Sequence, residues 1–133
     1  MIAVAGCEDG LYLVDVDDEQ IVGHEPGGAV ERERSFALAP SFAAKRVVDV
    51  DAVGSTVVAL LDRRPPLLVS HDGGITWSER GGGLPPGRAV ALGENPDDVL
   101  YGARNRLHLS RDGGLFWRVL ALELPEIRDV AWG

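Results

Sequence analysis
The octet SHDGGITW, Ser70 to Trp77, returns as SRDGGLFW, Ser110 to Trp117, displaced by 40 residues. The self-similarity runs past the octet: Leu84-Pro85 recurs as Leu124-Pro125, Arg88 as Arg128, Val90-Ala91 as Val130-Ala131 and Gly93 as Gly133. A weaker copy fills the first third, where GCEDGLYLVDVDDEQIV aligns with GARNRLHLSRDGGLFW, Gly6 on Gly102 and Leu11 on Leu107. A one-residue gap brings Asp15 and Asp17 onto the Ser and Asp of the octet, whose glycines and tryptophan this copy lacks. Such a chain must stack one supersecondary unit on copies of itself, because a unit of this size cannot bury its apolar face alone.

The type of unit follows from punctuation. Seventeen Gly and 8 Pro separate short runs of Val, Leu, Ile and Ala whose lengths suit strands rather than helices. Strands are expected near 2-5, 11-15, 20-24, 46-52, 56-61, 67-71, 75-80, 88-93, 98-103, 107-111, 115-120 and 127-132. The fold class is therefore all-β, with three sets of four strands. A period near 40 residues is that of a four-stranded β-propeller blade. The single domain 1-133 divides into repeats of approximately 1-45, 46-87 and 88-133, with a long insertion at 25-45. Phe36, Leu38 and Phe42 in that insertion are expected to cover a neighbouring surface.

In each octet an Asp-Gly-Gly sits between two strand-like runs, a hairpin signal because glycine accepts positive φ at the turn. Asp72 and Asp112 are suited to accept backbone N–H groups that a tight turn leaves unpaired, and Ser70 and Ser110 to do the same more weakly. Trp77 and Trp117, placed just inside the following strand, offer apolar area between sheets. The pattern S-x-D-x-G-x-x-W resembles the Asp-box, or BNR, repeat of sialidases, sortilin-type receptors and photosystem assembly factors. NPDDVLYG at 95-102 adds to the likeness, which covers nearly the whole chain. The resemblance implies a structural role, on the hairpin between the third and outermost strands of a blade, for Ser70, Asp72, Gly74, Trp77, Ser110, Asp112, Gly114 and Trp117.

With that placement, the run after each octet is the innermost strand of the next blade. The first blade, about 2-24, then lacks its inner strand, and Ile127 to Trp132 is an inner strand without a blade. Three blades fall below the usual four to eight for propellers. The expectation is a homodimer closing six blades head to tail, each copy supplying an inner strand to the other and leaving no exposed sheet edge.

Charge and chemistry narrow the function. Lys and Arg number 13 against 21 Asp and Glu, a net charge of -8 that disfavours nucleic acid and anionic membrane as partners. Cys7 is the lone cysteine, so an internal disulfide is excluded, and the first ten residues lack the basic and long apolar regions of a leader. The cytoplasm is the expected location. Arg46, Arg88 and Arg128 occupy one offset at the start of the three predicted inner strands, a candidate ring for an anionic ligand. The competing reading is that Asp49, Asp51, Asp129 and Glu126 neutralise them locally. DVDDE at 15-19 lacks the glycine and the closing glutamate of a calcium loop, having Gln20 and Pro26 there instead. Ser70, His71 and Asp72 alternate faces of a strand and cannot relay a proton, and His24, His71 and His108 fall in different repeats. No metal, cofactor or catalytic residue is expected. The function expected is that of a non-enzymatic ligand- or protein-binding scaffold. The alternatives are a sialidase-like glycoside hydrolase, whose tyrosine nucleophile would have to be Tyr12 or Tyr101, and a glycan or small-anion binder.

Overall fold
The computed structural model describes residues 1-31 and 47-133. The described chain holds twelve strands and no helix: β1 (Ile2–Cys7), β2 (Gly10–Asp15), β3 (Gln20–Pro26), β4 (Val47–Val53), β5 (Thr56–Leu61), β6 (Leu67–Ser70), β7 (Ser78–Arg80), β8 (Ala89–Leu92), β9 (Val99–Gly102), β10 (Leu107–Ser110), β11 (Arg118–Val119) and β12 (Ile127–Trp132). They form three antiparallel four-stranded sheets, ordered β12-β1-β2-β3, β4-β5-β6-β7 and β8-β9-β10-β11. The strand β12 stands beside β1 with Ala3 opposite Trp132 and Ala5 opposite Val130, so the inner strand of the first sheet comes from the far end of the same chain.

The sheets pack face to face, which is why their middle strands read as unbroken apolar runs. All six residues of β5 and all four of β9 are buried. One face of the β4–β7 sheet, with Val58, Leu60, Leu67 and Val69, packs on Val90, Leu92, Val99 and Tyr101 of the β8–β11 sheet. The opposite face of the latter, with Leu100, Leu107 and Leu109, packs on Ala3, Ala5, Val14, Ile127 and Val130. The two seats use matching positions, since Val58, Leu67 and Val69 correspond in register to Leu100, Leu107 and Leu109. One packing geometry is thus used twice, as the repeat requires.

The inner strands β4, β8 and β12 lie side by side, with β8 between the other two. They belong to different sheets, so β4 and β8 face each other with edge N–H groups that no ladder satisfies. Aspartates supply the acceptors. Buried Asp49 accepts from Val50 N with Oδ1 (2.9 Å) and from Val90 N with Oδ2 (3.0 Å). Asp51 does the same for Ala52 N (2.9 Å) and Leu92 N (2.8 Å). Each carboxylate bridges two strand edges, which also blocks edge-to-edge pairing. Asp129 of β12 accepts from Val130 N at 2.9 Å.

Two expected strands are shorter than read. The runs at 75-80 and 115-120 become strand only at Ser78–Arg80 and Arg118–Val119, so Trp77 and Trp117 precede the strands instead of opening them. The octet itself is the cause: its carboxylate captures the N–H groups of residues 75, 76, 115 and 116, which the ladder therefore cannot use. The insertion at 25-45 lies outside the described residues from 32 onward, as do Phe36, Leu38, Phe42 and Arg46.

Candidate functional site
Both octets fold into the same turn. Ser70 Oγ donates to Asp72 Oδ1 (2.7 Å) and accepts from Gly74 N (2.8 Å), while Asp72 Oδ1 accepts from Ile75 N (3.2 Å) and Thr76 N (2.9 Å). The second turn repeats this with Ser110, Asp112, Gly114, Leu115 and Phe116 at 2.7–3.1 Å. Glycine is needed here: Gly73, Gly74, Gly113 and Gly114 have φ of 73°, 96°, 74° and 94°. Each tryptophan lies back over the turn, its indole N–H donating to the carbonyl of Gly74 (3.0 Å) or Gly114 (2.8 Å). Gly73 N and Gly113 N donate to Ser55 O and Asp97 O, which ties each turn to the preceding hairpin of its own sheet.

The two turns differ at one position. Thr76 Oγ1 donates to Asp72 Oδ2 (2.6 Å), whereas Phe116 has no hydroxyl and is 79% exposed. The Thr76 hydroxyl and N–H, with the Ser70 hydroxyl, hold the Asp72 carboxyl far below the usual carboxylate range. Asp112 is lowered by the Phe116 N–H and the Ser110 hydroxyl. These side chains are engaged with their own turns, which is a folding role.

The turn of the first repeat is held by other means. Asp15 Oδ1 accepts from Asp17 N (3.0 Å) and Asp18 N (3.1 Å), and Glu19 takes a positive φ of 54°. Side chains then attach it to the third repeat: Arg111 pairs with Asp17 (2.9 Å), Arg118 donates to Val16 O (2.8 Å) and Glu19 accepts from Ala121 N (2.8 Å). The acidic run DVDDE is thereby used in turn and interface contacts. Among the described residues no group of three His, Cys, Asp or Glu side chains is arranged to hold a metal ion.

The three inner strands end on a cavity of about 860 Å3, which Asp51, Glu94 and Asp98 line together with Ile2, Leu92 and Trp132. At the opposite ends, where β8 and β12 begin, stand Arg88 and Arg128. Arg88 pairs with Glu126 at 3.0 Å and both side chains are about half exposed, which is the local neutralisation considered from sequence. Asp49 and Asp51 accept from backbone N–H groups of β8, a role that the spacing of the arginines did not suggest. The register also revises the shared offset. Asp49 stands opposite Leu60 as Ala89 stands opposite Gly102 and Asp129 opposite Gly6, so the residue of β4 matching Arg88 and Arg128 is Val48. A bulge between Val47 and Asp49 accompanies this displacement.

The tyrosines have settled partners. Tyr101 is fully buried and donates to Pro85 O at 2.6 Å, and burial pushes its hydroxyl pKa up. Tyr12 donates to Asp9 Oδ2 at 2.8 Å and stacks on His24 with ring centroids 4.2 Å apart. Burial, with Arg106 nearby, lowers the pKa of His108, whose ring meets Tyr101 edge-on. No helix among the described residues is long and apolar enough to cross a membrane. Comparison with known proteins gives no match: no protein family, curated protein or solved structure is significantly similar to this chain.

Proposed function
We propose that this chain is an Asp-box β-propeller module that binds a ligand or a protein partner as a scaffold, without catalysis, in the cytoplasm. The observation that carries this reading is the duplicated turn. The Ser, Asp and Trp side chains of both octets make the same internal hydrogen bonds, so these residues serve the fold. The tyrosines support it too, since Tyr12 is bonded to an aspartate and Tyr101 to a carbonyl, not to the glutamate a sialidase-like nucleophile requires. In this reading a second copy completes a six-bladed ring. β12 pairs with β1 of its own chain, joining the two ends of the sequence in one sheet, so closure of a larger ring requires two copies to exchange that strand.

Light scattering coupled to size exclusion tests the closure, with twice the chain mass expected at micromolar concentration and the single-chain mass refuting it. A panel of fluorogenic glycosides tests the absence of catalysis; turnover that tracks the protein through purification would reject it. The second reading, a small-anion or glycan binder at Arg88 and Arg128, rests on the exposure of Arg128 beside the exposed Arg88–Glu126 pair. Loss of anion binding in Arg128→Gln would favour it.

A further inference from the structure
A recess of about 220 Å3 lies between the β5–β6 turn and the connection from β7 to β8, away from the hub. Its walls are Pro66, Leu84, Pro85 and Pro86, and its charged residues are Asp62, Arg63 and Arg64. Three features make it a built site. The walls are rigid, because prolines fix φ on both sides, Leu61 N donates to Pro66 O (2.7 Å) and Tyr101 Oη pins Pro85 O (2.6 Å). Gly87 completes the wall because a Cβ there would overlap the Tyr101 ring and hydroxyl. Two arginines, Arg63 and Arg64, also line the recess beside one carboxylate, Asp62, on a chain of net charge -8. Arg63 is shared with Glu79 at 3.5 Å, and Arg64 has no ion-pair or hydrogen-bond partner among the described residues. Arg64 and the pinned Pro85 line the recess together.

We propose that this recess binds a small monocarboxylate with a compact apolar body, its carboxylate on the Arg64 guanidinium and its body against Leu84 and the prolines. A guanidinium fork matches a carboxylate in a planar, two-bond geometry that a neutral ligand cannot use. At roughly 30 Å3 per water, the recess displaces about seven waters, the scale of a fragment-sized acid. A wall set by proline loses little freedom on binding, so a ligand of this size needs no rearrangement. The site does not depend on ring closure or on the hub arginines.

The test is an amide NMR titration with benzoate, and with benzamide as its uncharged isostere. Benzoate is expected to shift the amides of Arg64, Leu84 and Gly87 in a saturable way, with benzamide about tenfold weaker, the size of one charge-assisted hydrogen bond. Arg64→Gln, at an exposed position that leaves the wall intact, should lower benzoate affinity about tenfold. Arg128→Gln should leave it unchanged. Equal binding of the two probes, shifts centred on Arg88 and Arg128, undiminished binding by Arg64→Gln, or no saturable shift up to about 20 mM would each overturn the proposal.

Discussion

Replacing Asp49 tests whether the bridge between strand edges holds the sheets together. The side chain is fully buried, and its two oxygens accept from Val50 N at 2.9 Å and Val90 N at 3.0 Å. Asp49→Ala leaves two buried backbone donors unsatisfied, each costing about 1–3 kcal/mol, so the expected loss is about 2–6 kcal/mol. With an unfolding entropy of about 2 cal/mol/K per residue over 133 residues, each kcal/mol lowers Tm by about 4 °C. The expected fall is about 8–24 °C. Asp49→Asn keeps one carbonyl acceptor and turns an amide toward the other donor, so about half that loss is expected. Asp51→Ala removes bonds of 2.9 and 2.8 Å from a half-buried position where water can substitute, and about 1–2 kcal/mol is expected. Urea and thermal unfolding at pH 7, with exposed Asp62→Ala as the control, give the ranking. An Asp49→Ala protein within about 0.5 kcal/mol of that control, or one more stable than Asp51→Ala, would refute the bridge.

Four further outcomes can be checked. Gly87→Ala forces a Cβ into the Tyr101 hydroxyl and should cost about 1–3 kcal/mol by urea unfolding, and Tyr101→Phe in the same background should recover part of it. Asp72 and Asp112 have lowered carboxyl pKa values in the fold, so their stabilisation is present above the ordinary carboxylate value of 3.8 and is lost as pH falls through the lower folded value. Tm measured between about pH 2 and 5 should therefore fall less steeply in Asp72→Asn than in wild type, with a smaller change for Asp112→Asn because the Thr76 hydroxyl has no counterpart. Phe116→Thr should raise Tm by supplying that hydroxyl and removing an exposed ring, whereas Thr76→Val should lower it. Burial first, then Asp9 and Glu8, pushes the Cys7 thiol up to about 11, so at pH 8 its reaction with a neutral maleimide should be about a hundredfold slower in folded than in unfolded protein.

Local chemistry made part of this molecule readable from its residues alone. The hairpin turns were legible because Ser70, Asp72 and Gly74 satisfy partners within four residues, and no distant segment is needed to set their geometry. The strands were legible because Gly, Pro and Asp bound short apolar runs, and β12 could be read as the missing strand of a first sheet, although the repeat frame assigns it to a second copy and the structure sets it beside β1 of its own chain. The same local chemistry corrected the reading where two local demands compete. Trp77 and Trp117 look like strand residues by type, but the carboxylate two residues into each turn claims the N–H groups that a strand would use.

The sequence by itself determined the repeated unit, its turns and the all-β class, since each depends on contacts between near neighbours. Only the tertiary structure decided what the acidic residues of β4 are for. From sequence Asp49 and Asp51 read as counter-ions for nearby arginines, and their acceptance from Val90 N and Leu92 N, 41 residues away, emerges only once packing brings β8 alongside. It likewise decided that Val48 holds the place expected of Arg46, because a bulge in β4 slides the strand against its neighbour without leaving a mark in residue spacing. The physical reason is common to both. A turn is satisfied within itself, whereas a strand edge or a register is settled by whichever segment the packing sets beside it.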